Sequence, residues 1–150
     1  MSSERKVDPF AIIIIIISLI GIIIIAASYF AGFYYSVYGY RYSCLSGCGY
    51  TTGGDLAAQV FMILLLLAQI ILAINELLPN KFFSFEKIDI IRLILSSSTI
   101  LFAFIGLGIF GIIYGFIHGF DWWPEAGFYG GFAAGVINSI FYILRFKKII

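Results

Sequence analysis

Two cysteines stand four positions apart, Cys44 and Cys48, with Gly47 and Gly49 around the second. Thiols at this spacing can close a small ring, and outside the cytoplasm a paired, structural state is expected. A redox enzyme is a poor fit. Such enzymes use C-x-x-C with a second pair or a quinone partner, whereas here the spacing is C-x3-C and the chain holds no third cysteine. The single histidine, His118, has no carboxylate cluster at helical spacing around it, so it implies neither a metal centre nor a Ser-His-Asp arrangement. No phosphate-binding loop or dinucleotide fingerprint is present. Glu76, Asp89 and Arg92 are ionisable groups at the edges of long apolar stretches. Charges within a membrane are functional candidates by default. These three lie near an interface rather than at mid-depth, where an Asp89–Arg92 (i, i+3) or Glu76–Arg92 contact would keep them stable. The expectation is therefore no catalytic residue, no cofactor and no metal.

The elements that carry these residues follow from composition. The 150 residues are 62% hydrophobic, 19% aromatic and 11% charged, with a formal net charge of +1. Soluble domains are roughly 45–50% apolar and about 25% charged. A soluble globule of this size could not hide so much apolar surface. Disorder would need few aromatics and much charge, and a disulfide scaffold would need more than two cysteines. A near-neutral chain has no footprint for nucleic acid. A bilayer protein remains.

Crossing the hydrocarbon takes about 20 apolar residues in a helix. Four stretches qualify, at about residues 10–31, 56–78, 88–114 and 127–144. The isoleucine runs of the first suit strands by propensity, but a continuous apolar stretch of that length does not alternate as a barrel strand must. That stretch also exceeds a signal peptide's apolar core, and Ala26-Ala27-Ser28 is a weak cleavage site, so it is expected to be retained. No lipidation motif is evident. The fold expected is all-α: one four-span domain, an antiparallel bundle of four transmembrane helices.

The charges orient it. Arg5 and Lys6 precede the first span; Lys81, Lys87 and Arg92 surround the second connection; Arg145, Lys147 and Lys148 follow the fourth span. Only Arg41 lies in the first connection, and none in the third. Eight of nine basic residues thus share one side, and the positive-inside rule puts that side, with both termini, in the cytoplasm. Residues 32–55 then form an outside loop. Its Tyr34, Tyr35 and Tyr38, with Trp122 and Trp123 of the third connection, are expected as aromatic anchors at headgroup level.

Polar side chains within the spans, among them Gln59, Gln69, Asn75, Ser96–Thr99 and Asn138, are expected as hydrogen-bonding links between helices. Small residues recur every four positions: Gly127, Gly131, Gly135 and Ser139 in the fourth span, and Gly111, Gly115 and Gly119 late in the third. Such stripes permit close helix approach, and the two are expected to face each other or a second subunit.

From Ile88-Asp89 onward, through Ser96–Thr99, Gly131-Phe132-Ala133-Ala134-Gly135 and the closing Arg145-Phe146-Lys147-Lys148, the chain resembles MARVEL-domain proteins of the myelin and lymphocyte proteolipid type. Claudin-type four-span proteins are the neighbouring possibility, but they carry a larger first loop with a Gly-Leu-Trp motif and a wider cysteine pair. The MARVEL resemblance implies four spans, cytoplasmic termini and no catalytic residues. It implies a non-enzymatic organiser of lipids, vesicles or apposed membranes, in the plasma membrane or a vesicle membrane. Its partners would be membrane lipids and a homo- or hetero-oligomer of membrane proteins. An accessory subunit of a larger complex, such as a channel or respiratory assembly, is the alternative. An oligomeric channel or transporter built around Gln59, Gln69 and Asn138 is a third reading.

Overall fold

The computed structural model describes residues 8–83 and 87–147; Arg5, Lys6, Phe85 and Lys148 lie outside them. Four helices are long and apolar enough to cross a membrane. The first, α1 (Pro9–Ala27), starts where Asp8 accepts the Phe10 N–H at 3.0 Å, with proline at a position whose missing N–H is harmless. It stops at Ala27 rather than near residue 31. Ser28 is extended, its hydroxyl turns back to the Ile24 carbonyl, and a strand begins at Tyr29.

That strand corrects the all-α expectation. Residues 32–55 do not form a loop. β1 (Tyr29–Tyr35) and β2 (Gly39–Cys44) make an antiparallel hairpin, and β3 (Asp121–Pro124), from the third connection, pairs with the other edge of β1. The sheet order is β2-β1-β3. Aromatic residues suit a half-buried pleated surface, and Gly39, at φ +72°, supplies the left-handed residue that closes the hairpin. A bulge between Tyr29 and Ala31 frees the Phe30 carbonyl to accept the Glu125 N–H at 3.0 Å.

α2 (Gly53–Leu77) begins where the Thr52 hydroxyl accepts the Asp55 N–H, and it ends just before Pro79. α3 (Ile88–Phe110) runs on through a π-helical turn (Gly111–Ile117), so the third apolar helix reaches Ile117. α4 (Ala126–Phe146) completes the set. α1 and α3 each pack against both α2 and α4. Ile25, Met62, Leu66, Ala103 and Ala134 fill the space between them, and Phe30 and Phe33 of β1 belong to the same core. The sheet is thus a cap packed onto the helices. Isoleucines and phenylalanines such as Ile16, Ile23, Ile71 and Phe104 point outward, as a lipid-facing surface requires.

Candidate functional site

Three polar layers succeed one another along the molecule. At the end away from the sheet, Arg92 is 1% exposed. Its Nη1 lies 2.8 Å from Glu76 Oε1 and 2.9 Å from Asp89 Oδ1, and its Nη2 donates to the Leu72 carbonyl at 3.4 Å. Arg145 grips the same Glu76 in a two-pronged contact, 2.6 Å on each oxygen, and reaches Asp8 at 3.1 Å. The predicted trio of Glu76, Asp89 and Arg92 is therefore brought together. Asp8 and Arg145 join it, so the cluster involves all four helices. Sequence reasoning missed these two because it took Arg145 as part of a basic tail. Asp8 did carry a signal, since an aspartate before a proline that opens an apolar run is a helix cap. Asn75, nearby, accepts the N–H groups of Phe82 and Phe83 at 2.7 and 3.0 Å and donates to the Phe83 carbonyl, fastening the second connection to α2.

The middle layer links helices by neutral groups. Asn138 donates to Ser18 Oγ at 2.9 Å and Gln69 Oε1 at 2.8 Å. Gln69 donates to Thr99 Oγ1 at 3.3 Å, and Ser139 bonds Ser96 at 2.9 Å. Such bonds hold membrane helices together where lipid removes the hydrophobic drive.

The third layer lies under the sheet. Asp55 is fully buried at the start of α2 and accepts the Ser43 and Thr52 hydroxyls, tying β2 to that helix. Gln59 donates to the Asp55 carbonyl at 3.3 Å, one turn into the helix. Cys44 and Cys48 form a disulfide with their Cα atoms 5.4 Å apart. Gly47 and Gly49, at φ +89° and +80°, let the chain turn within and after this ring. The Tyr114 hydroxyl donates to the Tyr50 carbonyl at 2.7 Å, fastening the segment after the ring to the π-helical turn.

The glycine stripes land differently from the expected pairing. Gly111 and Gly115 face the indole of Trp122, not α4: a Cβ would meet the ring at 2.5 Å from Gly111 and 2.3 Å from Gly115. The widened turn keeps the two glycines on one side, where the absence of side chains makes a seat for the ring. Gly119, at φ +69°, closes the following turn and faces open space. On α4 the set is buried against several elements. A Cβ at Gly127 would meet the Tyr29 carbonyl, one at Gly131 would meet Met62 and Ile25, and one at Gly135 would meet Ile100 and the Ser96 carbonyl. Ser139, at the next position of the series, bonds Ser96 of α3.

Among the predicted anchors, Tyr34 and Tyr38 are exposed, and Tyr35 meets Tyr38 and Phe120 at tilted ring angles with ring centres 5.0 and 4.7 Å away. Trp123 covers Gly32 and donates its indole N–H to Glu125 at 2.6 Å. His118 stacks on Phe120, ring centres 5.5 Å apart. Among the described residues, no three His, Cys, Asp or Glu side chains gather in a way that could hold a metal ion. No family model, curated protein or solved structure matches this chain.

Proposed function

We propose that this protein is a non-enzymatic organiser of a cell membrane, acting through its lipid-facing and outside surfaces as the MARVEL resemblance implies. In this reading the helices are an antiparallel bundle with both termini in the cytoplasm, and the sheet faces outside or a lumen. The plasma membrane or a vesicle membrane is the expected site, with lipids and oligomeric contacts as partners. One observation carries the reading: the charged side chains at the end of the helices away from the sheet are committed to one another. Glu76, Asp89, Arg92 and Arg145 are paired at one end, and at mid-depth Asn138 and Gln69 bond each other within one protomer. Residues engaged in this way hold the bundle in shape and are not aimed at a substrate. Gln69 and Asn138 are buried and bonded within one protomer, which weighs against a channel built around them.

The accessory-subunit reading is favoured by a separate feature. Between α1 and α4 runs an apolar groove of about 480 Å³ with Gly21, Gly130, Ala133 and Ala134 along it. Gly21 and Gly130 already draw α1 and α4 together, against Ala134 and Ile24, and the apolar groove left alongside is of a shape that a helix from another subunit can fill. Native mass spectrometry of the full chain extracted in mild detergent separates the two. The organiser reading expects homotypic species carrying bound lipid. A fixed stoichiometric complex with unlike subunits would overturn it in favour of the accessory role.

A further inference from the structure

Arg41 differs from the other arginines among the described residues. Carboxylates hold Arg92 and Arg145, but Arg41 has no ion-pair partner there. Its guanidinium lies 5.5 Å from the ring centre of Tyr50 and 5.9 Å from that of Tyr38. Nη1 donates to the Tyr40 carbonyl at 3.1 Å, and Nε is covered with no hydrogen-bond partner. The side chain borders a cleft of about 380 Å³ walled by Tyr29, Tyr40, Tyr42, Cys48 and Tyr50. A half-buried positive charge without a counter-charge is unfavourable. A guanidinium offers a planar fork of donors that suits the oxygens of a phosphate, and phenol hydroxyls can donate to the same oxygens.

Position selects the source of that phosphate. Tyr29 follows the end of α1 at Ala27 by two residues, and Tyr50 precedes the start of α2 at Gly53 by three. One wall of the cleft thus starts at the ends of α1 and α2, and Arg41 pairs with Phe33, whose ring stacks on Tyr114 near the end of the third apolar helix, which is headgroup depth if the helices span the bilayer. From this we infer that the Arg41 cleft binds the phosphodiester of a membrane lipid, with Arg41 on the phosphate oxygens and the tyrosine rings packed around the headgroup. The inference rests on the membrane placement of the proposed function and adds a specific ligand class to it. It also gives the Cys44–Cys48 ring a task, since Cys48 forms part of the cleft wall.

The test is native mass spectrometry of the full, disulfide-intact chain in mild detergent, titrated with dioctanoyl phosphatidylglycerol. Parallel samples receive inorganic phosphate or dioctanoylglycerol, which has the chains without the phosphate. The wild type is expected to retain one phospholipid. Arg41→Gln should lower that retention at least tenfold, Arg41→Lys should lower it less, and Lys87→Gln, at the opposite end, should leave it unchanged. Neither competitor should displace the lipid at equal concentration. Equal retention by Arg41→Gln and wild type overturns the site. Displacement by inorganic phosphate overturns the lipid source, and displacement by dioctanoylglycerol overturns recognition of the headgroup. If Arg41→Gln fails to fold, Arg41→Lys decides, and retention equal to wild type overturns the inference. Failure of the organiser reading would register separately, as an unlike subunit bound in every sample.

Discussion

A single methyl group at Gly115 would fall 2.3 Å from the Trp122 indole nitrogen, so the ring or the π-helical turn must move to admit it. Gly115→Ala is expected to destabilise the protein by about 1–3 kcal/mol, the usual penalty for overpacking. Gly108, seven residues earlier in the same helix, has nothing within 4 Å of an added Cβ, and Gly108→Ala should cause no loss. Thermal denaturation of both variants in the same detergent checks the contrast. The ion cluster offers a second one. Glu76 is held by two arginines, one of them buried, and Glu76→Gln would leave Arg92 underpaired. The expected loss is about 3–5 kcal/mol, as for a broken buried pair. Asp8 is more exposed, and Asp8→Asn keeps the helix cap, so its loss should stay within about 1 kcal/mol. Equal losses at the two positions would show that Glu76 is not the hub.

At the scale of elements, α4 approaches its neighbours' main chain at Gly127 and Gly135 and their side chains at Gly130 and Gly131. A Cβ at Gly135 would lie 3.1 Å from the Ser96 carbonyl and 3.2 Å from the Ile100 nitrogen, and main chain cannot rotate aside. Gly135→Leu should therefore separate α3 from α4 and abolish a monodisperse peak in size-exclusion chromatography. Ile140→Leu, on an exposed face of the same helix, should not. The four helices were legible in the sequence because apolar length is a one-dimensional signal, and their observed bounds stay within a few residues of the expected ones. The sheet was not. Tyr29–Tyr35 reads as the fringe of a span because Tyr, Phe and Gly serve an interface as well as a strand, and its partner Asp121–Pro124 lies far along the chain and is four residues long. The seat for Trp122 was hidden for a related reason. Four-residue glycine spacing marks a bare helix face but does not say which side chain will cover it. The disulfide pair was legible because the chain offers only one pairing.

For the whole molecule, orientation is the property that decides the rest, and the native cysteines report on it. Both are at the sheet end, in one bridge. After treatment of sealed cells or vesicles with an impermeant reductant, an impermeant maleimide should label the chain only from the outside or lumenal face. Labelling only from the cytoplasmic face would invert the proposed topology. Reduction itself should be mild, because opening so short a ring releases about 2 kcal/mol of chain entropy at most, and faster hydrogen exchange should be confined to the segment between β2 and α2. The cap has a further consequence in time. β1 is complete by residue 35, whereas β3 begins only at residue 121, after α2 and α3. While the ribosome makes those intervening helices, one edge of β1 stays open. Any factor that shields nascent chains on that side has this interval in which to act, and the edge closes only when the last connection arrives.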